Sequence, residues 1–412
     1  MRVQSVFTEP NPNPCVQSDS ADSHVSTQKR LLYICTKTMK RIFLLFAAAV
    51  LLEACGVRVE VANPLKIDRT DETVEIAWAQ VTDNLKNATP ERIVVVAPDG
   101  RQQPSQVLYN GGTEPQALIF QATVPAGGKR VYRLKTGQRE DYPVQAYGRF
   151  VPERMDDFAW ENNRIGHRVY GPAREEAGEV SNGIDVWLKR TDSLVIDKWY
   201  APGFDYHTDR GEGLDCYRVG RTLGAGAMAP YEKDLLWLGR NFVSCKVLDN
   251  GPIRIAFRLD YAPFRVDSMT VTERRTITLD ANTHFNRITE EYTGDFARLK
   301  VAAGVVTRGA GGRVLDILNK PIKMVGYWEP LNTDNDSDNG HTAIGLVFPC
   351  EIKVETRLGH LLASTVIPAG RPFTYRMGVG WSKGDVPTPE AMTKLIFDEK
   401  LTAENPLVVT VR

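Results

Sequence analysis

The sequence predicts an all-β protein made of a small β-sandwich followed by a large antiparallel one. Short runs alternate apolar and polar residues, turn residues separate these runs, and few stretches have a helical period. We assign the small sandwich to residues 55–137, a linker to residues 138–157, and the large sandwich with the candidate site to residues 158–412. Two domains suit the length that follows the N-terminal region.

The small sandwich is predicted from five runs between Val57 and Thr136. These runs are VRVEVANPL, ETVEIAWAQV, RIVVVAPDG, ALIFQATVPAG and KRVYRLKTG. Turn residues stand between them at Asn63-Pro64, Asp99-Gly100, Gly111-Gly112 and Gly127-Gly128. This spacing is typical of an immunoglobulin-like sandwich, and residues suited to a functional site are sparse here.

The runs become longer from Phe158 onward and keep the β pattern. Examples are SMTVTERRTITLDANTHFNRITEEYT and EIKVETRLGHLLASTVIPAG, and Asp249 to Pro252 forms a strong turn signal. One helix is predicted from Pro389 to Leu401, because proline stands at its start and apolar residues recur at helical spacing.

The N-terminal region has the pattern of a targeting signal. Residues 1–38 lack a hydrophobic period and indicate a disordered or non-native extension, and residues 39–54 combine a basic start with a short apolar run. The run ends at Cys55, with Leu52 three places earlier, and resembles the lipobox of bacterial lipoproteins. We therefore predict lipidation of Cys55 and a lipid-anchored protein of the cell envelope, facing the periplasm or at the outer-membrane surface. The alternative is a plain secretory signal with an incidental cysteine.

Charge and cysteine content exclude some classes of protein. The chain has 51 basic and 51 acidic residues, and removal of residues 1–54 takes away six basic and four acidic ones, for a formal net charge of −2. Nucleic-acid binding normally needs a strongly basic face, so no nucleic-acid partner is predicted. The cysteines after Cys55 are three, Cys216, Cys245 and Cys350, so at most one disulfide forms among them.

The stretch from Trp160 to Gly224 contains the strongest candidate site. Tyr206 and His207 are followed by three carboxylates, Asp209, Glu212 and Asp215. Acid and base catalysis needs a group that exchanges a proton near neutral pH, as histidine does, and Tyr206 or Tyr217 could be the partner acid. We name His207, Tyr206, Glu212 and Asp215 as candidate catalytic residues and Tyr217 as a substrate-binding one. A solvated polar loop is the alternative.

A second group precedes the first and contains Arg164, His167, Arg168 and Tyr170. An arginine here could hold the carboxylate of a uronic sugar by a two-pronged contact. On an unbroken strand His167 and Arg168 point to opposite faces, although Gly166 could break it. We assign His167 as catalytic and Arg164 and Arg168 as substrate-binding. The alternative is a structural arginine paired with Glu161 or Asp157.

Three further features carry weaker predictions. Trp160 could be a platform on which a sugar ring stacks, although a buried tryptophan explains it as well. Glu290 follows His284 on what is predicted as the next strand and could bind substrate; a polar strand face is the ordinary alternative. The acidic run from Thr333 to Gly340 allows a calcium loop or a hairpin tip, and no other cofactor is predicted.

The strings WENNRIGHRVYGP, GIDVWLKRTDSLVIDKWY, YHTDRGEGLDCYRVGRTLGAG and LDANTHFNRITEEY resemble a family of Gram-negative lipoproteins classed as domain of unknown function 4861. The resemblance implies polysaccharide breakdown, with pectin-like uronates among the substrates, and a galactose-mutarotase-like large sandwich. We therefore expect a carbohydrate-active enzyme, a lyase or a hydrolase, that acts on an oligosaccharide or polysaccharide by acid and base chemistry. The alternative is a lipoprotein that binds glycans without turnover.

Overall fold

The computed structural model describes residues 56–412, except for residues 310, 318–319 and 333–337. The predicted extension, the signal segment and Cys55 lie outside the described residues. So does most of the acidic run that we considered for calcium.

The strands are numbered in chain order. The first seven are Val57–Ala62 (β1), Arg69–Ala77 (β2), Ile93–Val96 (β3), Gln102–Gln103 (β4), Ser105–Leu108 (β5), Ala117–Val124 (β6) and Lys129–Thr136 (β7). The next five are Ala146–Val151 (β8), Asp157–Asn162 (β9), Gly166–Val169 (β10), Asp185–Lys189 (β11) and Gly213–Leu214 (β12).

The remaining strands occupy the C-terminal half of the chain. They begin with Ala225–Glu232 (β13), Leu235–Leu236 (β14), Phe242–Asn250 (β15), Arg254–Tyr261 (β16), Phe264–Val266 (β17), Met269–Asp280 (β18), Phe285–Gly294 (β19) and Arg298–Val306 (β20). They end with Arg313–Val314 (β21), Met324–Asn332 (β22), Asp338–Val347 (β23), Lys353–Arg357 (β24), His360–Pro368 (β25), Phe373–Trp381 (β26) and Val408–Val411 (β27).

Helices are few in the described part of the chain, and most of them are short. They are Trp78–Asn84 (α1), Pro172–Glu176 (α2), Ile196–Trp199 (α3) and Pro389–Glu404 (α4), with a 3-10 turn at Pro152–Arg154. The all-β prediction is therefore confirmed. So is the helix predicted from Pro389, where the Thr388 side chain caps the first turn by accepting from the Ala391 N–H at 3.2 Å.

The N-terminal strands form a two-layer sandwich. One sheet has the order β27-β1-β7-β3-β4 and the other the order β2-β6-β5. The alternation in β1 sends Val59 and Val61 inward, where they pack with Leu118, Phe120 and Leu134. The sheet also contains β27, so the last strand of the chain belongs to this layer and not to the large sandwich, where we had placed it.

The large sandwich packs a sheet of order β14-β13-β20-β25-β24 against a nine-stranded sheet. The nine-stranded sheet runs β15-β16-β18-β19-β26-β23-β22-β21, with β17 paired to β18. Its inward face carries apolar residues such as Ile277, Ile288 and Met377, which are fully buried. Burial of each such side chain stabilises the fold by about 1.5–3 kcal/mol. Its outward face is partly covered by α4 through Met392 and Ile396.

A third sheet, of order β12-β11-β10-β9-β8, carries the candidate site. One of its faces extends the main core, since Phe158 stacks on Phe257 with ring centroids 4.0 Å apart. Strand β8 lies within residues 138–157, which we had predicted as a linker, and pairs along its length with β9. The second half of that segment is therefore part of the sheet.

Candidate functional site

Strand β10 places two neighbouring side chains on opposite faces of the third sheet. It is unbroken from Gly166 to Val169, and Arg168 lies directly opposite Asp185 on β11, whereas His167 lies opposite Val186. Because side chains alternate along a strand, His167 enters the main core and Arg168 leaves it. Gly166 does not break the strand, so these two residues cannot share a site.

Arg168 is the centre of a buried charge cluster. Its Nε donates to Asp185 Oδ2 at 3.0 Å and its Nη2 donates to Asp215 Oδ2 at 2.9 Å. The carboxylate of Asp157 lies 4.0 Å from Arg168 Nε. The Tyr170 hydroxyl donates to Asp185 Oδ2 at 3.0 Å. Three buried carboxylates thus meet one buried guanidinium, which the low-dielectric surroundings make a strong interaction.

Burial changes the acidity of this cluster. It raises the pKa of Asp157 to about 6, against the opposing charges of Arg168 and Arg174. It also raises the pKa of Asp215, against Arg168, with a further increase from the charge of Asp185. The pKa of Tyr170 is raised well above its usual value by burial and by Asp185, so its hydroxyl keeps its proton.

A cavity of about 590 Å³ opens onto this cluster. Its walls are rich in arginine and comprise Arg168, Tyr170, Arg174, Gly178, Glu179, Val180, Ser181, Gly220, Arg221 and Arg240. The guanidinium carbons of Arg168 and Arg174 lie 5.3 and 5.1 Å from the centre of the Tyr170 ring. The volume lies within the range of small-molecule sites, and the arginines suit an anionic ligand.

The arginines of this cavity differ in how fully they are neutralised. Arg174 pairs with Glu179 and lies 3.5 Å from Asp157 Oδ1, and Arg240 donates to Glu175 at 2.5 Å. Arg221 is exposed and, among the described residues, donates only to the Leu238 carbonyl at 3.4 Å. Arg221 therefore offers the least compensated positive charge at the entrance.

The loop that contains His207 brings Asp215 to Arg168. The Asp215 N–H donates to the Tyr206 carbonyl at 2.9 Å, and His207 Nδ1 lies 2.9 Å from the Asp215 carbonyl oxygen. Gly213 has a φ of +119°, and a Cβ there would stand 1.8 Å from the Leu188 carbonyl oxygen. Only glycine fits this approach, which fixes the short strand β12 beside β11.

Most of the other candidates in the Tyr206–Tyr217 segment point away from the cavity. His207 is exposed and is not one of the wall residues. Glu212 accepts from Lys198 at 2.6 Å at the surface. Tyr206 is buried among Trp187, Trp199 and Tyr200. Tyr217 is buried under the guanidinium of Arg308, 3.9 Å from its ring centre. The segment thus contributes Asp215 to the charge cluster.

His167 and Trp160 are core residues, contrary to our assignment of roles at the surface. Both are fully buried, with ring centroids 5.1 Å apart. Trp160 Nε1 donates to Asn286 Oδ1 at 2.8 Å, and the Asn286 amide nitrogen lies 2.9 Å from His167 Nε2. His167 Nδ1 faces the Asp185 carbonyl at 3.1 Å, so the histidine is neutral with its proton on Nδ1. Burial lowers the pKa of His167 to about 3, so it cannot exchange protons near neutral pH.

Glu290 and Arg164 also lie away from the cavity. Glu290 is fully buried in the large sandwich, where it accepts from Arg275 Nε at 2.6 Å, and Arg275 Nη2 donates to Glu273 at 2.8 Å. This ion cluster has no access to a ligand. Arg164 is half-exposed and lies 3.4 Å from Asp385, whose carboxylate also meets His284 Nε2 at 3.2 Å.

The sequence interpretation missed Asp185, Arg174, Arg221 and Arg240. A detectable signal existed for Asp185, because it is the one carboxylate in the apolar run GIDVWL, and a buried charge needs a partner. The three arginines come from helix α2 and from two loops, and they carry no comparable local signal.

Residues 56–412, apart from the gaps given above, contain no group of three or more His, Cys, Asp or Glu side chains placed to hold a metal ion. Cys216, Cys245 and Cys350 are free. In the same part of the chain, no helix has both the length and the apolar character needed to cross a membrane.

Comparison with known proteins finds a matching family model, a curated relative and several similar solved structures. A family model described as "Domain of unknown function (DUF4861)" matches residues 61–409. A curated relative from Formosa agariphila, "Uncharacterized protein P7", is 30% identical over 408 residues, which cover 91% of this chain and 100% of the relative.

Two solved structures are similar to this chain at low sequence identity. One is a protein of glycosyl hydrolase family 38 from Enterococcus faecalis, with 10% identity, a TM-score of 0.49 and coverage of 87% of this chain and 47% of that one. The other is an alpha-mannosidase from Enterococcus faecalis V583, with 9% identity, a TM-score of 0.47 and coverage of 87% and 46%. This chain therefore spans about half the length of these structures.

Proposed function

This chain belongs to the family of the domain of unknown function DUF4861, and we propose that it is a carbohydrate-active enzyme of the cell envelope acting on carboxylate-bearing oligosaccharides. The observation that carries the proposal is the position of Arg168. It lies at the base of an arginine-lined cavity, bound to Asp185 and Asp215. The proposed location in the cell envelope is supported by the signal-like segment of residues 39–54, which precedes Cys55.

Binding is the part of the function that the cavity supports most directly. A guanidinium holds a carboxylate through two parallel hydrogen bonds, and each such charge-assisted bond contributes about 1.5–3 kcal/mol. Arg221 is free to make this contact at the entrance, and Arg240 stands beside it. Tyr170 is the aromatic residue of the cavity wall, and we assign its ring as the surface that a sugar contacts.

Bond cleavage needs a proton for the leaving oxygen of the sugar. Among the side chains of the cavity wall, we assign this role to the Tyr170 hydroxyl, whose proton must turn from Asp185 Oδ2, 3.0 Å away, to the substrate. Asp157, whose pKa is about 6, lies behind Arg168 and can exchange a proton near neutral pH. Neutralisation of a uronate by arginine suits a lyase, and carboxyl groups suit a hydrolase, so the proposal includes both reactions.

A glycan-binding protein without turnover is the second candidate, and one observation favours it. Asp157, Asp185 and Asp215 are fully or almost fully buried behind Arg168, and Glu179 in the wall is paired with Arg174. No free carboxylate therefore stands in the described part of the wall to act directly on a substrate.

The test is to incubate the protein with pectic and other uronic oligosaccharides and follow two signals. Ultraviolet absorbance of an unsaturated uronate indicates a lyase, and new reducing ends without it indicate a hydrolase. We expect Tyr170→Phe to abolish turnover and to keep affinity within about tenfold, or 1.4 kcal/mol. Tyr142→Phe, whose hydroxyl bonds Gln102 at 2.9 Å on the small sandwich, is the matched control. Binding without either signal would support the second candidate.

His207→Ala serves as a separate comparison. The sequence interpretation predicts loss of turnover in this variant, whereas the exposed position of His207 outside the wall predicts normal turnover. Measurement of turnover in this variant with the same oligosaccharides therefore distinguishes the two expectations.

A further inference from the structure

A second cleft, of about 410 Å³, lies on the outward face of the nine-stranded sheet. Its floor is formed by strands β16, β18, β19 and β26, and its sides by residues of β2 and of helix α4. Arg254, Arg287 and Arg376 stand on the floor. None of the residues that line this cleft lines the Arg168 cavity.

Two of the three floor arginines are neutralised within the protein. Arg254 binds Asp280 through two hydrogen bonds of 2.6 and 2.9 Å and also donates to Glu75 at 2.8 Å. Arg376 donates to Glu399 of α4 at 2.5 Å. These carboxylates have their charge compensated and do not reach the third arginine at contact distance.

Arg287 is the exception. It is half-buried and makes no hydrogen bond or ion pair with any described residue, although it lines the cleft. In the strand register it stands directly between Thr278 and Arg376, so two like charges face each other across adjacent strands. Such a pair destabilises a sheet unless something compensates the charge.

The electrostatic surroundings of Arg287 agree with its geometry. Burial is the largest cause that lowers its pKa, and the charges of Arg254 and Arg376 lower it further, against Asp280 and Glu75, which raise it. Burial is thus the main cost to this guanidinium, and no described carboxylate lies within contact distance of it to offset that cost. An anion placed beside it would make that contact.

We propose that this cleft binds a sugar-sized molecule through one oxyanion, a carboxylate or a sulfate, held by Arg287. The planar guanidinium fits either group through paired hydrogen bonds. The volume lies within the range of about 300–1,000 Å³ for small-molecule sites. Thr73, Asp398 and Thr402 also line the cleft and suit the hydroxyl groups of a sugar.

The carboxylates around the floor limit the charge of the ligand. The cleft is lined by more carboxylates than arginines, so a second negative group on the ligand would meet like charge. These carboxylates are Asp68, Asp71, Glu72, Glu75, Asp280, Asp398 and Glu399. The site therefore selects one anionic group on an otherwise neutral, hydroxyl-rich molecule. This inference does not depend on turnover at the Arg168 cavity.

The test uses calorimetric titration of the full chain in an Arg221→Gln background, which weakens the Arg168 cavity. The ligands are galacturonate, its neutral methyl ester, galactose 6-sulfate and inorganic sulfate. We expect galacturonate or the 6-sulfate to bind about 10- to 100-fold more tightly than the ester. The ester lacks the negative charge and therefore loses the charge-assisted contact with Arg287. The two anionic sugars then tell which oxyanion the site takes.

Substitution of Arg287 decides whether this binding belongs to the cleft. Arg287→Gln should remove the preference for the anionic sugar, Arg287→Lys should keep part of it, and Arg298→Gln, at an exposed position on β20, should leave it unchanged. Arg287 has no partner to lose, so its variants should unfold at the wild-type temperature or above. The proposal is overturned if the anionic sugars do not bind, if they bind no better than the ester, or if Arg287→Gln binds them as the wild type does. Normal turnover in Arg287→Gln would leave the proposed enzyme function intact in either case.

Discussion

Arg168 and Asp215 are joined by a hydrogen bond of 2.9 Å between Nη2 and Oδ2, although 47 residues separate them in the chain. The contact ties strand β10 to the loop that follows His207, and Asp185 shares the same guanidinium. All three side chains are buried, so solvent and salt screen the attraction between their charges only weakly.

Removal of Arg168 should therefore be costly. We expect Arg168→Leu to lower the free energy of unfolding by about 3–5 kcal/mol, because Asp185 and Asp215 would remain buried without a counter-charge. Urea unfolding followed by circular dichroism measures the change. Arg240→Gln, which alters an exposed arginine of the same cavity, should change stability by less than about 1 kcal/mol. Equal losses in the two variants would contradict the role of the buried cluster.

His167 should make stability depend on pH. Its pKa is lowered to about 3 in the folded protein, whereas the unfolded chain binds a proton near pH 6.5. The stability that neutral His167 gives is complete above about pH 6.5 and is lost as the pH falls toward 3. Between pH 7 and 5 the loss from this group is about 2 kcal/mol.

The measurement compares wild type with His167→Gln at both pH values. The variant cannot take up this proton, so its free energy of unfolding should fall by about 2 kcal/mol less than that of the wild type over the same interval. An identical pH dependence in the two proteins would show that His167 is not held neutral.

Two glycines of one loop should respond differently to alanine. Gly211 and Gly213 have φ values of +102° and +119°, so alanine is strained at both, by about 1–2 kcal/mol. A Cβ at Gly211 meets nothing within 4 Å, whereas at Gly213 it collides with the Leu188 carbonyl. We expect a loss of about 3 kcal/mol or more for Gly213→Ala, read from thermal unfolding. A similar effect at both sites would contradict the close approach.

The proposed lipid anchor is tested at Cys55. We expect the wild-type protein to sediment with membranes and to yield a lipid-modified N-terminal peptide by mass spectrometry. Cys55→Ala should abolish the modification and release the protein into the soluble fraction, because one cysteine carries the whole anchor. Membrane association that survives the substitution would favour another mode of attachment.

Local patterns predicted the strands well, and the reason is visible in β1 and β18. Their side chains alternate between buried and exposed positions, so the hydrophobic period in the sequence is the period of the sheet. The helix at Pro389 was equally predictable from the sequence, since its N-terminal proline and the helical spacing of its apolar residues are local signals.

Contacts between distant segments explain what the sequence could not predict. The sequence does not distinguish a histidine or tryptophan that binds a sugar from one that packs in the core. His167 and Trp160 pack against each other and share Asn286, which is 119 and 126 residues away from them in the chain. Glu290 lies between Ile288 and Tyr292 on the buried face of its strand, and it is accommodated there because Arg275 opposes it. Asp215 was selected correctly as a member of a charge cluster, but its partners came from β10 and β11.

The pairing of β27 with β1 has a consequence for the order in which the protein is made. Arg58 and Arg412 exchange two backbone hydrogen bonds of 2.8 Å, and β27 forms an edge of the first sheet although about 350 residues separate it from β1. A nascent chain cannot complete this sheet until β27 has left the ribosome. We therefore expect the small sandwich to reach its final form after the large one, although its sequence emerges first.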